Sequence, residues 1–173
     1  ATLLAIVTAD GSGAWSFTPS TDLTERSYIL SATSTDASGN ISADSATKTL
    51  RVDVSVPTAP TVTSIGTDTG RLATDGITTD TTLTITGLAE AYATVKIYNG
   101  STFVASATAN AAGVYSITTT TLAAGTYELT AKAFDAANNE SVASSHSNIV
   151  VDTSAPDAPA VTRSASPTDN TPT

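Results

Sequence analysis

Four residues far apart in the chain, Asp53, Glu90, Asp135 and Asn139, offer only oxygen donors, and their places in the sequence predict one shared site. Carboxylate and amide oxygens without Cys or imidazole select a hard cation. An irregular shell of roughly six to eight oxygens favours Ca²⁺ over Mg²⁺. Left alone such acids repel, and a divalent ion turns the repulsion into a clamp. Asp152 repeats the situation of Asp53 further along. A second acidic group, Asp68, Asp75 and Asp80 in DTGRLATDGITTD, would hold its own ion or stiffen the loop that carries it. Against both readings stands the ordinary use of Asp and Asn in turns, where they bond their own backbone and tolerate left-handed conformations.

What brings the acids together is repetition. Tyr28 and Tyr127, Asp36 and Asp135, Asn40 and Asn139, Asp53 and Asp152, and Pro60 and Pro159 are each separated by the same 99 positions. Ala1–Ala9 matches Ser101–Ala109 at an offset of 100, as do the turns Asp10–Gly13 and Asn110–Gly113. So many distinct residues at one spacing identify a tandem array. Residues 1–57 read as the back part of one unit, 58–156 as a complete unit, and 157–173 as a linker and first strand of the next.

Composition bounds the rest. The 173 residues carry a net charge of −9, no Cys, one Trp and one His. Thr-rich, β-branched segments split by Gly, Asn and Asp favour short strands. Disulfide stapling is excluded. Only 7 Lys and Arg residues argue against nucleic acid and anionic membranes as partners. No run approaches the roughly 18 apolar residues of a membrane span.

Seven strands are predicted in the complete unit: 61–65, 81–86, 94–98, 102–109, 114–120, 126–135 and 148–152. Asn99-Gly100 is a two-residue hairpin signal. From 126 to 135 the residues alternate, with Tyr127, Leu129, Ala131 and Ala133 on one face and Thr126, Glu128, Thr130 and Lys132 on the other. That period of 2 is the mark of a half-buried strand. Short connections and alternation give an all-β fold of end-to-end, two-sheet immunoglobulin-type sandwiches with Greek-key connections. Core bulk is assigned to Leu83, Ile85, Tyr115, Ile117, Ile149 and Val151, and to Trp15 and Phe17 in the first unit. Tyr127 and Tyr28 take the place of tyrosine corners.

In this topology the linker, the loop at Glu90, the Asn110–Gly113 turn and the loop 135–141 share the upstream pole. The loop 68–80 and Asp152 share the downstream pole. Catalysis finds little support: His146 is the sole imidazole, with no nucleophile signature near it, and no P-loop or dinucleotide fingerprint is present.

The chain resembles the bacterial immunoglobulin-like repeats of giant secreted adhesins of the RTX kind. The resemblance rests on A-x-A-x-D-x-A-x-N (Ala131–Asn139), the junction DTSAPDAP (Asp152–Pro159) and DTGRLATDGIT (Asp68–Thr78). It implies extracellular stalk modules at a bacterial cell surface, with calcium straightening the junctions between neighbouring repeats. Carried over, it makes Asp53, Asp135, Asn139 and Asp152 ligands, with Asp36 and Asn40 their first-unit counterparts. Asn138 stands where that family and Gly39 here have glycine, which predicts an altered loop. Other readings are a glycan- or protein-binding module, favoured by a clustered exposed aromatic patch, and a filament subunit that self-assembles through its incomplete terminal repeats.

Overall fold

The computed structural model describes residues 2–66 and 68–161, so the strand expected within 162–173 lies outside the described residues. Ten strands and no helix occur among them. The first segment carries β1 (Arg26–Leu30) and β2 (Lys48–Val52). The second carries β3 (Thr61–Gly66), β4 (Ile77–Thr78), β5 (Thr84–Leu88), β6 (Thr94–Asn99), β7 (Thr102–Thr108), β8 (Val114–Thr118), β9 (Gly125–Phe134) and β10 (Ser147–Val151). One sheet has the order β3-β5-β8 and the other β4-β10-β9-β6-β7.

The two sheets close on a core supplied by alternate residues. Leu83, Ile85, Val95, Ile97, Tyr115, Ile117, Leu129, Ile149 and Val151 are all buried. Ala131 and Ala133 face the same interior, and their small size lets the opposite sheet approach. The tyrosine corners form in both units. Tyr127 donates from its hydroxyl to the Ala123 carbonyl at 2.8 Å, and Tyr28 to that of Thr24 at 3.0 Å.

Three sequence expectations are corrected. The strand expected at 81–86 runs Thr84–Leu88 instead. Thr81 and Leu83 are held from outside the ladder: the Thr81 carbonyl accepts from Leu122, and Leu83 donates to the Thr119 hydroxyl. Second, the loop 68–80 contains β4, which pairs in parallel with β10. Two residues show no period, so pattern reading passes over such a strand. Gly76, at φ 75°, turns the backbone into line, and its carbonyl accepts from Val150 at 2.8 Å. Third, Trp15 and Phe17 are exposed, at 58% and 38%, not core. Their counterparts Tyr115 and Ile117 are covered by β5, β6 and β9, and no described residue of the first segment corresponds to β5 or β6.

The β1–β2 hairpin nevertheless keeps its register. Arg26 faces Val52 and Leu30 faces Lys48, just as Gly125 faces Val151 and Leu129 faces Ser147. The following residues repeat as well. Backbone N–H groups of Ala131 and Ala133 donate to the Ser144 and Ser141 hydroxyls, as Ala32 and Ser34 donate to Ser45 and Ser42. These serines stand in for strand partners where the hairpin opens.

Candidate functional site: the seam between the units

The linker from Asp53 to Pro60 is tied to both units. Pro57 and Pro60 are buried, which fixes φ at two points and removes their freedom to swing. Ser55 donates to the Glu25 carboxylate at 2.9 Å, holding the linker to the first unit. Across the seam the Asn139 amide donates to the Asp53 carbonyl at 3.1 Å. The structure thus brings the Asp53 backbone carbonyl, rather than its carboxylate, to the Asn139 amide, which also donates to Asp135.

Asp135 and Asn139 belong to a loop form used four times. Its first residue is Asp or Asn, whose side-chain oxygen accepts the backbone N–H of the third and fifth residues. Its fourth residue has positive φ. Asp10, Asp36, Asn110 and Asp135 fill the first place. Gly13, Gly39, Gly113 and Asn138 fill the fourth. Asn138 adopts φ 68° against 89° at Gly39, and the hydrogen bonds of the two loops match one for one. The expected alteration at Asn138 is therefore absent, because Asn tolerates the left-handed region. In the two loops at 36 and 135 a further bond, 2.8 Å long, runs from the Asn amide to the second Asp oxygen.

These bonds act on the carboxylates. Asn139's side chain, then its backbone and those of Ala137 and Asn138, hold the Asp135 carboxyl below its ordinary range. Asn40 does the same to Asp36, and the Ser12 hydroxyl to Asp10. A carboxyl whose pKa is depressed on folding stabilises the fold above the unfolded value, about 3.9, and that stability is lost as pH falls through the folded value. The thermal midpoint should therefore drop on acidification below about pH 4. Asp135→Asn should flatten that dependence, since Asn110 accepts the same backbone bonds uncharged. Circular dichroism melts between pH 2 and 7 check this.

The remaining predicted ligands lie apart. Glu90 is exposed, and among the described residues its carboxylate makes no bond to the trio. The Asp53 carboxylate accepts from Arg51 at 3.0 Å and from the Ser55 backbone at 3.3 Å. Asp152 is exposed and caps its own turn through Ser154. At the downstream pole Asp68 accepts from Gly70 and Gly76, Asp75 from Ile77, and Asp80 from Thr82. Each therefore organises local backbone around β4. Among the described residues no three His, Cys, Asp or Glu side chains gather closely enough to hold a metal ion. The donor chemistry at the seam suits calcium, while the carboxylates there are engaged by protein partners. His146 is exposed on the approach to β10.

A residue that the sequence reading passed over is Gly87. Here the Tyr115 ring crosses the β5 backbone, and its hydroxyl reaches the Thr61 carbonyl of β3 at 2.9 Å. A glycine next to the end of a predicted strand was the available signal.

Comparison with curated proteins returns no match. Among solved structures the chain is similar to the D00-D0 domain of intimin, at 18% identity and a TM-score of 0.34, over 84% of this chain and 77% of that one. The family profile described as bacterial Ig-like domain matches residues 2–54 and again 55–153. The chain belongs to the bacterial Ig-like domain family, as tandem copies of that domain.

Proposed function

We propose that this chain is a stalk segment of a bacterial cell-surface adhesin, a non-enzymatic, extracellular spacer whose partners are the neighbouring repeats of its own chain. The observation that carries the reading is the restrained seam, where the Asn139 amide meets the Asp53 carbonyl beside two buried prolines. A spacer needs units that resist bending and joints that do not swing, and this joint is held from both sides. With 10 residues in β9, a unit spans about 33 Å at roughly 3.3 Å per residue. Reach then grows with the number of repeats, since each unit contacts mainly its neighbours.

Calcium is the cation this seam would take. Asp53, Asp135 and Asn139 would hold it, with Glu90 recruited from the loop after β5. The ion would have to displace the Arg51, Ser55 and Asn139 donors that engage the Asp53 and Asp135 carboxylates. Small-angle scattering of the 173-residue chain in millimolar calcium and in chelator tests the idea. The expected result is a larger maximum dimension with calcium, and a loss of that response in Asn139→Ala. Superimposable profiles would remove calcium and leave a joint stiffened by proline and hydrogen bonds alone.

A further inference from the structure

Three Asn-x-Ser triplets occur in the chain: Asn40-Ile41-Ser42, Asn99-Gly100-Ser101 and Asn139-Glu140-Ser141. Such a sequon is the acceptor for N-linked glycosylation. The side-chain amide nitrogen is the reacting atom, and the hydroxyl two residues on is the group a transferase recognises. A three-residue pattern recurs by chance in a chain this rich in Ser and Thr, so the surroundings of each triplet decide its use. The fold treats the three differently.

Asn40 and Asn139 are closed. The Asn40 amide donates to the Asp36 carboxylate at 2.8 Å. That of Asn139 donates to Asp135 at 2.8 Å and to the Asp53 carbonyl at 3.1 Å, which uses both its hydrogens. Their hydroxyls are engaged as well. Ser42 accepts from the Ser34 backbone at 3.0 Å and donates to the Ala43 carbonyl at 2.9 Å. Ser141, 3% exposed, accepts from Ala133 at 2.9 Å and donates to Val142 at 2.8 Å. In both triplets the reacting nitrogen and the recognised hydroxyl already hold the loop together.

Asn99 is the opposite case. β6 ends at Asn99 and β7 begins at Thr102, which leaves Gly100, at φ 57°, and Ser101 as the turn between them. A bulge between Ile97 and Tyr98 sets this register and leaves Phe103 outside, beside Tyr98. The Asn99 side-chain oxygen accepts the Glu128 N–H at 3.0 Å. A backbone N–H can only donate, so the amide nitrogen has to point away from it. Among the described residues neither that nitrogen nor the Ser101 hydroxyl has a hydrogen-bond partner. Gly100 and Ser101 are exposed, and a Cβ added at Gly100 would meet nothing within 4 Å. An aspartate would accept the Glu128 bond equally well. The amide nitrogen is therefore the part of Asn99 that the framework leaves unused.

We infer that Asn99 is the position at which the folded chain accepts an N-linked sugar. Its nitrogen forms the bond to the anomeric carbon, and the sugar's bond to a diphosphate carrier breaks. The diphosphate leaves with the electron pair, and the amide proton passes to a carboxylate base of the transferase. The inference stands apart from the stalk reading and survives its failure. To test it, the folded 173-residue chain is incubated with UDP-glucose and a soluble sequon-reading N-glycosyltransferase. A parallel arm uses a lipid diphosphate-linked oligosaccharide and a membrane oligosaccharyltransferase, and peptide mapping by mass spectrometry locates the sugar. Asn99 should be modified faster than Asn40 or Asn139 by roughly tenfold or more, since each of those first gives up a hydrogen bond to a carboxylate. Incorporation in one arm alone supports the site and identifies the carrier. Short peptides covering 36–46, 95–105 and 135–145 should be accepted alike. Asn99→Asp keeps the acceptor for Glu128 and should abolish incorporation there with the thermal midpoint unchanged, and Ser101→Thr should retain it. An unmodified Asn99 in both arms, comparable rates at the three sites, or the same preference among the peptides would overturn the inference.

Discussion

Gly87→Ala should unfold the second unit or cost it at least about 3 kcal/mol, the upper range for overpacking a close-packed interior. A Cβ at this position would lie inside contact distance of the Thr61 carbonyl oxygen and 2.7 Å from Cζ of Tyr115. Neither neighbour yields cheaply. The first is backbone held in the β3–β5 ladder, and the second is a ring buried to 1% exposure and bonded at its far end. A urea titration followed by circular dichroism reads the loss. Trp15 is a poor reporter, being exposed and in the other unit. Wild-type stability in Gly87→Ala would mean that β3 and Tyr115 do not pack as described.

Tyr115 is the other half of the same contact. Tyr115→Ala should cost about 3–5 kcal/mol, as for other large buried aromatics. Tyr115→Phe should cost only about 1 kcal/mol, the net worth of its bond to the Thr61 carbonyl. The two variants also separate by pH. Burial pushes the Tyr115 hydroxyl up to about 12, above the unfolded value near 10. A group whose pKa is raised on folding contributes stability that is whole below the unfolded value and is lost as pH rises through the folded one. Wild type should therefore weaken between about pH 10 and 12, and Tyr115→Phe should weaken less. Parallel alkaline curves for the two would contradict a buried hydroxyl. Because both substitutions act at one contact, Gly87→Ala with Tyr115→Ala should cost less than the two separately.

Alternation along 126–135 made β9 legible, since period 2 reports directly which side faces the core. The two tyrosine corners and the turn at Asp10, Asp36, Asn110 and Asp135 were legible because each is a local device, completed within five residues. Trp15 and Phe17 show the limit of that logic. Their residue types and spacing match Tyr115 and Ile117, but burial belongs to the facing strands and not to the side chain. The outward turn of Phe103 was hidden for a related reason: a one-residue bulge reverses the face on which every earlier residue falls. At the seam repeat spacing pointed to Asp53 and Asn139 as neighbours, but they meet through the Asp53 backbone carbonyl, while the Asp53 carboxylate turns to Arg51. Which atom of a carboxylate or amide meets which neighbour is decided by side-chain geometry, and repeat spacing carries none of it.

The parallel pairing of β4 with β10 has a mechanical outcome. Tension on a tandem protein enters at the start of β3 and leaves at the end of β10. The bonds from Val150 to the Gly76 carbonyl and from Asp152 to the Thr78 carbonyl then lie across the direction of pull. They are loaded in shear and must rupture together, whereas a hairpin pulled from its open end gives way one rung at a time. The two residues of β4 would thus act as a latch against extension of the sandwich.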